Sequence, residues 1–340
     1  MAQRSSSQEN GRLHFAVVGA GVAGLTCARE LLARGSSVTV FERSGVVGGR
    51  LASVQTDAGV YDVGAQYVTV QQESFANEVR NWISANLLRT WDASLAEMSA
   101  GQAAMVTPPA PRFVGVPCMQ SIASYLARGL HIVFNAEVGR IARGSSEWYL
   151  FDPDERQLGI VGFDGLVLAI PSIDALPLVR SETDFAARLE TVHWDACWMG
   201  SLELSRPSGI EFDSATIKDD PILAWVAREN SKPMRQLGGG VAEIWLLQAR
   251  STWSNNFVEL APDDAARWMQ RAFAARLARP LAQKSCSALR WRNATPVEAV
   301  AETFLWDPTR AIGLAGDWCG GARVETAFVS GLALAQAIAG

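Results

Sequence analysis

His14-Phe15-Ala16-Val17-Val18-Gly19-Ala20-Gly21-Val22-Ala23-Gly24, continued by an amphipathic stretch to about Arg34 and then by Ser37-Val38-Thr39-Val40-Phe41-Glu42, decides the fold of this 340-residue chain. It reads as an apolar strand, a glycine-rich turn, a helix, a second strand and a terminal acid, the order of a dinucleotide-binding βαβ unit. Gly19 permits the tight turn out of the strand, Gly21 lets a pyrophosphate approach the backbone, and Gly24 lets the helix pack closely on the strands. The helix amino terminus then offers unbonded N–H groups and the positive end of its dipole to phosphate. Glu42, eighteen residues after Gly24, is placed to accept hydrogen bonds from both ribose hydroxyls and to repel a 2′-phosphate. The ligand class implied is the adenine dinucleotides.

Directly after Glu42 comes Arg43-Ser44-Gly45-Val46-Val47-Gly48-Gly49-Arg50. A bare nicotinamide fold would run into another helix here. Gly48 and Gly49 can instead bring backbone N–H groups against phosphate, and Arg50 can add a charge-assisted contact. From Val17 to Arg50 the sequence resembles the FAD signature of the flavin amine oxidase superfamily. Asp57-Ala58-Gly59-Val60-Tyr61-Asp62-Val63-Gly64-Ala65-Gln66-Tyr67 is similar to the flavin-contacting turn of that superfamily, and Gly313-Leu314-Ala315-Gly316-Asp317-Trp318-Cys319 with Arg323-Val324-Glu325-Thr326 resembles its carboxyl-terminal motif.

The resemblance implies FAD as cofactor. Its amino-terminal contacts would be Gly19, Gly21, Ala23, Gly24, Glu42, Arg43, Gly49 and Arg50, and those of the second motif Gly64, Ala65, Gln66 and Tyr67. Asp317 would reach the ribityl-pyrophosphate region beside Gly316, and Arg323, Val324 and Thr326 would open a helix pointing its positive end at the flavin. Val138, read as the end of a strand His131–Val138, would meet the adenine edge.

Phe113-Val114-Gly115-Val116-Pro117, Trp225 to Pro233 and Trp245-Leu246-Leu247 narrow the resemblance to the renalase-like flavoproteins. These look like oxidases of dihydronicotinamide isomers, small reduced nitrogen heterocycles that give a hydride to flavin, with O2 accepting the electrons. Tyr67, Arg228, Asn230 and Trp291 match that pocket: the two rings would wall the flavin face and the two polar groups would hold the substrate. Each has a plain alternative, the aromatics as core and Arg228 as the partner of Glu229 or another acid. Gln248 and Val63 stand where histidines are expected, and Arg292-Asn293-Ala294 departs from the expected tyrosine-containing stretch, so Gln248 is a candidate for an altered pocket. Of the three lysines, Lys232 sits in a Ser-Lys-Pro turn and Lys284 follows a helix, and neither has the setting of the amine oxidases' flavin-side lysine. An oxidase or tailoring enzyme for another amine or ring is the nearest rival, and a non-catalytic flavin-binding protein is a further one.

With 49% hydrophobic residues the chain can bury two domains' worth of core, and a net charge of −5 without a basic run gives no footprint for nucleic acid. No stretch has the length and apolarity of a membrane span. Five scattered cysteines form neither a disulfide framework nor a metal site and suit the cytoplasm; Cys319 reads as a packing thiol. The expected architecture is α/β, a Rossmann-type FAD-binding domain over 12–72, 113–172 and 298–340, interleaved with a smaller α+β substrate domain on an antiparallel sheet over 73–112 and 173–297. Residues 1–11 read as a disordered tail. A helix is expected over Glu73–Leu88 and another over 262–278. The partner expected is a small-molecule substrate, and the protein itself is expected to be a monomer or homodimer.

Overall fold

The computed structural model describes residues 12–99, 101–277 and 280–340, so the expected tail, residues 1–11, lies outside the described residues. Two compact units emerge: one made of the chain up to Gly49, Ala123–His193 and Pro296–Gly340, the other of Arg50–Ile122 and Trp194–Thr295.

The first unit is built on a six-stranded sheet in the order Leu305–Asp307, Ile312–Leu314, Gly165–Leu168, His14–Val18, Ser37–Glu42, His131–Phe134. All neighbouring pairs are parallel except the antiparallel edge strand Leu305–Asp307. Phe15 to Val18 and Val38 to Phe41 are buried without alternation, as strands covered on both faces must be. The helix Val22–Ala33 crosses between the first two strands, and the helix Val324–Ala339 lies so close to it that a Cβ on Gly331 would stand 2.1 Å from the Ala23 carbonyl oxygen. His14 Nε2 meets Thr39 Oγ1 at 3.0 Å, and burial lowers its pKa against the opposing pull of Asp164, a structural setting.

The expected strand His131–Val138 stops at Phe134, because Asn135 takes φ +54° and turns the chain. Val138 therefore lies in the connection before the strand Arg140–Arg143, not at a strand end.

The second unit carries a seven-stranded sheet ordered Gln283–Pro296, Trp194–Leu204, Glu243–Ala249, Leu223–Arg228, Ser214–Ile217, Leu95–Ser99, Gln102–Val106. From Trp194–Leu204 to Ser214–Ile217 the pairing is antiparallel, as expected; Ser214–Ile217 and Leu95–Ser99 run parallel, which the long intervening chain permits. Strand alternation sorts side chains onto two faces. Trp198, Leu202, Trp245, Leu247 and Val226 pack with Met269 and Phe273 of the helix Pro262–Leu277. Met199, Ile244 and Leu246 point the other way, onto Tyr61 and Val63.

That second packing ties residues 50–72, expected in the FAD part, to the sheet of the second unit, and residues 113–122 group there too, with Met119 N donating to Asp62 Oδ1 and Gly115 O accepting from Arg235. Residues 173–193 group with the first unit, where Asp174 faces Arg43, Arg188 faces Glu302, and His193 O accepts from Val297 N. The helix expected over Glu73–Leu88 ends at Ser84, since Asn86 has φ +56° and a strand Leu88–Thr90 follows. Among the described residues no helix is long and apolar enough to cross a membrane.

Candidate functional site

In the first unit the glycine turn forms a cradle. Gly19 has φ +100°, and a Cβ there would lie 2.6 Å from the Ala169 oxygen; at Gly24 it would lie 2.0 Å from the Gly19 oxygen. A Cβ on Gly21 would meet nothing within 4 Å, so this backbone borders open space. Gly21 is also the residue from which the helix Val22–Ala33 begins, without a side-chain cap and without an acid in the first turn. Its first N–H groups are thus left for an anion. Gly48 N donates to Ala20 O at 2.9 Å, and Gly49, at φ +52°, folds over Gly21. Close backbone, open space and uncapped helix end fit a dinucleotide pyrophosphate.

Glu42 is buried at the end of its strand. Its Oε2 accepts from Ala20 N at 2.8 Å, and its Oε1 from Ser44 N and Oγ at 2.9 and 2.8 Å. A carboxylate offers about four acceptor positions, so as it stands Glu42 keeps one for a ribose hydroxyl rather than the expected two. Arg43 is exposed and faces Asp174 at 3.6 Å. At the carboxyl end, Gly316 N donates to Ser330 Oγ, Asp317 begins a buried 3-10 turn, and Arg323 meets Glu325 at 3.4 Å at the start of the helix holding Val324 and Thr326. Burial pushes the Cys319 thiol up to about 12. A thiol so fully protonated is a packing group, not a nucleophile.

In the second unit the stretch Asp62 to Tyr67 is fixed from every side. Gly64 and Ala65 sit under Arg50: Ala65 N donates to Arg50 O, and a Cβ on Gly64 would be 2.1 Å from that oxygen. Arg50 itself reaches Ala294 O and stacks 5.0 Å from the Trp194 ring. Gln66 Nε2 donates to the Asp62 and Gly64 carbonyls, and Trp291 Nε1 donates to the Val63 carbonyl at 2.8 Å. Beneath lies a cluster that sequence reading missed: Asp62, Glu229, Lys232 and Arg235, whose side chains are at most 1% exposed. Lys232 is therefore a buried turn residue.

Burial alone would raise the Asp62 carboxyl, but Lys232 and Arg235, with the Met119 N–H and the Ser53 hydroxyl, hold it below the usual range. Glu229 goes the other way: burial raises it, and the attraction of Lys232 does not compensate.

Tyr67 belongs to an aromatic group with Trp91 and Trp225, ring centroids 6.3 and 6.5 Å away. The Arg112 guanidinium lies 4.4 Å from the Tyr67 ring centre, brought there by the backbone pairing of Phe113 with Val68. Its Nη1 is buried without a hydrogen-bond partner, and no carboxylate pairs with Arg112 among the described residues. Gln248 stands opposite both Met199 and Trp225 in the sheet, so it shares this face. Asn230 uses Oδ1 to accept from Ile244 N at 3.1 Å.

Arg228 does not join them. Three residues beyond Trp225, it points to the opposite face, where Nη2 donates to the Ile210 and Phe212 carbonyls and the guanidinium lies 5.1 Å from the Trp245 ring. These contacts are structural, whereas the resemblance implies that Arg228 holds substrate. Arg228→Gln is expected to cost about 1.5–3 kcal/mol, the worth of hydrogen bonds to a charged donor, in urea unfolding. KM should not move more than twofold, and a larger rise would return Arg228 to the site.

Residues 17–80 match the family model described as an NAD(P)-binding Rossmann-like domain. Over 54 residues the chain is 54% identical to protoporphyrinogen oxidase 2 of Arabidopsis thaliana, and over 58 residues 45% identical to 4,4'-diapophytoene desaturase of Staphylococcus haemolyticus. These matches take up 16% and 17% of this chain and only 11% and 12% of those proteins. Among solved structures, a protein of Exiguobacterium sp. 255-15 with a provisional protoporphyrinogen oxidase name superposes with TM-score 0.79 at 11% identity, over 99% of both chains. Cyclohexylamine oxidase of Brevibacterium oxydans gives 0.74 at 14% identity, over 96% of this chain and 99% of that one. The fold is that of these two solved structures, and residues 17–80 carry the NAD(P)-binding Rossmann-like domain.

Proposed function

We propose that the chain is an FAD-dependent oxidoreductase that takes a hydride from a small reduced nitrogen heterocycle, renalase-like in its chemistry, with O2 as electron acceptor. The observation that carries this reading is Arg112: a cation stacked on Tyr67, beside Trp91 and Trp225, whose buried Nη1 has no hydrogen-bond partner among the described residues. Flat aromatic surfaces suit a planar ring. An unpartnered guanidinium repels a protonated alkylamine and attracts a ring bearing a carboxylate or phosphate, because a buried donor without an acceptor costs about 1–3 kcal/mol that such a group would relieve.

Bound FAD supplies a two-electron acceptor. The chain's own residues orient and exclude. Gly21, Gly49 and the uncapped start of Val22–Ala33 hold the pyrophosphate, and Glu42 takes a ribose hydroxyl. Gln248 adds a neutral hydrogen-bonding group on the face of Trp225, where an imidazole would titrate.

Anaerobic mixing of the FAD-loaded protein with 2- and 6-dihydronicotinamide isomers tests the reading, and bleaching of the flavin absorbance is expected. Bleaching by alkylamines alone would replace it with amine oxidation. Arg112→Gln should raise KM for an acidic substrate by about 10–100-fold with kcat little changed, the loss of one charge-assisted hydrogen bond. An unchanged KM removes Arg112 from recognition.

A further inference from the structure

The Lys232 ammonium donates to Asp62 Oδ2 and to Gln66 Oε1, each at 3.0 Å, and forms an ion pair with Glu229 Oε2 at 2.6 Å. What the lysine holds is informative. With its oxygen given to Lys232, the Gln66 amide must turn its NH2 toward the carbonyls of Asp62 and Gly64, at 2.7 and 3.0 Å, so the network itself fixes which way the amide faces. Trp291 takes the carbonyl between them, and the N–H groups of Val63, Gly64 and Ala65 are bonded to Ala52 and Arg50. Val63 and Gly64 thus have both backbone groups bonded and Ala65 its N–H, and Tyr67 follows two residues on.

We propose that Lys232 is a positioning residue that acts through Gln66 to lock the Asp62–Tyr67 turn, and with it the orientation of Tyr67. Two acids and two bases make the cluster electrically balanced, so it fixes the turn without adding net charge beside it. The functional part of the proposal rests on the reading that this turn contacts FAD; the mechanical part does not.

The test uses the full chain with FAD added, as wild type, Lys232→Met and Gln66→Leu. Gln66→Leu leaves all four charges in place, so it decides the matter alone if Lys232→Met fails to fold. In both variants the amides of Val63, Gly64 and Ala65 are expected to exchange hydrogen at least tenfold faster, while those of Trp194–Leu204 and Glu243–Ala249 keep their wild-type rates. The visible flavin band should shift alike in both, and kcat should fall at least tenfold with substrate KM within twofold. Wild-type exchange at 63–65 in folded Gln66→Leu overturns the proposal. Wild-type protein that takes up no FAD overturns the cofactor reading instead, and the exchange result still decides the role of Lys232.

Discussion

Asp62→Asn is expected to destabilise the protein far more than Glu229→Gln, although each removes a buried carboxylate from the same cluster. Asp62 faces both Lys232 and Arg235 and also accepts from Met119 N and Ser53 Oγ. Its loss leaves two buried cations against one acid, and breaking a buried pair in this way costs about 3–5 kcal/mol. Burial raises Glu229 and its cationic partners do not offset this, and a glutamine Oε1 can still accept from Arg235 Nε and Asp62 N, so a loss of about 1 kcal/mol is expected. Urea unfolding at neutral pH measures both, and equal losses would refute the asymmetry.

The two acids also carry opposite pH dependence. Asp62 is held below its ordinary value, so its stabilisation is fully present above about pH 4 and is lost as pH falls through the lower folded value. Glu229 is held above its ordinary value, so folding favours its protonated form, and stability declines as pH rises through that raised value. Asp62→Asn should flatten the acid limb of the stability profile, and Glu229→Gln should remove the decline above it.

The second large effect separates two glycines three residues apart. Gly24→Ala places a methyl 2.0 Å from the Gly19 carbonyl oxygen, a backbone atom that cannot move without opening the turn. Overpacking of this kind is expected to cost about 3 kcal/mol and to abolish FAD uptake. Gly21→Ala is different in kind: φ is −78°, an ordinary value, and the new methyl meets nothing within 4 Å. Stability should change by less than about 0.5 kcal/mol. Yet the methyl would stand where a pyrophosphate must approach, so FAD affinity should fall by about 100-fold. Thermal melts with flavin fluorescence titration read both quantities, and tight FAD binding by Gly21→Ala would dismiss the phosphate role of this backbone.

What could be read from sequence was what the chain builds locally. The strand, turn, helix and acid of residues 14–42 form as expected because the pairing of the two strands and the helix between them are local, and apolar runs and glycines report them directly. The helix Pro262–Leu277 was legible from its proline and first-turn acids. Lys232 was not, because its acceptors Asp62 and Gln66 lie 170 and 166 residues away and no periodicity connects them. Arg112 escaped for a similar reason: a single arginine before an apolar strand carries no mark of the tyrosine it covers. Arg228, placed in the pocket by the renalase-like resemblance, lies beside Trp245, a direction set by strand alternation that the resemblance does not report.

The buried thiols have a practical consequence. Burial pushes Cys197 and Cys319 up to about 12 and raises Cys27 as well, so none of the three presents thiolate to a maleimide while its surroundings are intact. Cys27 and Cys319 lie in the first unit and Cys197 in the second, while half-buried Cys118 and Cys286 provide an internal reference. Peptide-resolved alkylation would therefore time the opening of each half of the molecule separately, with no engineered label.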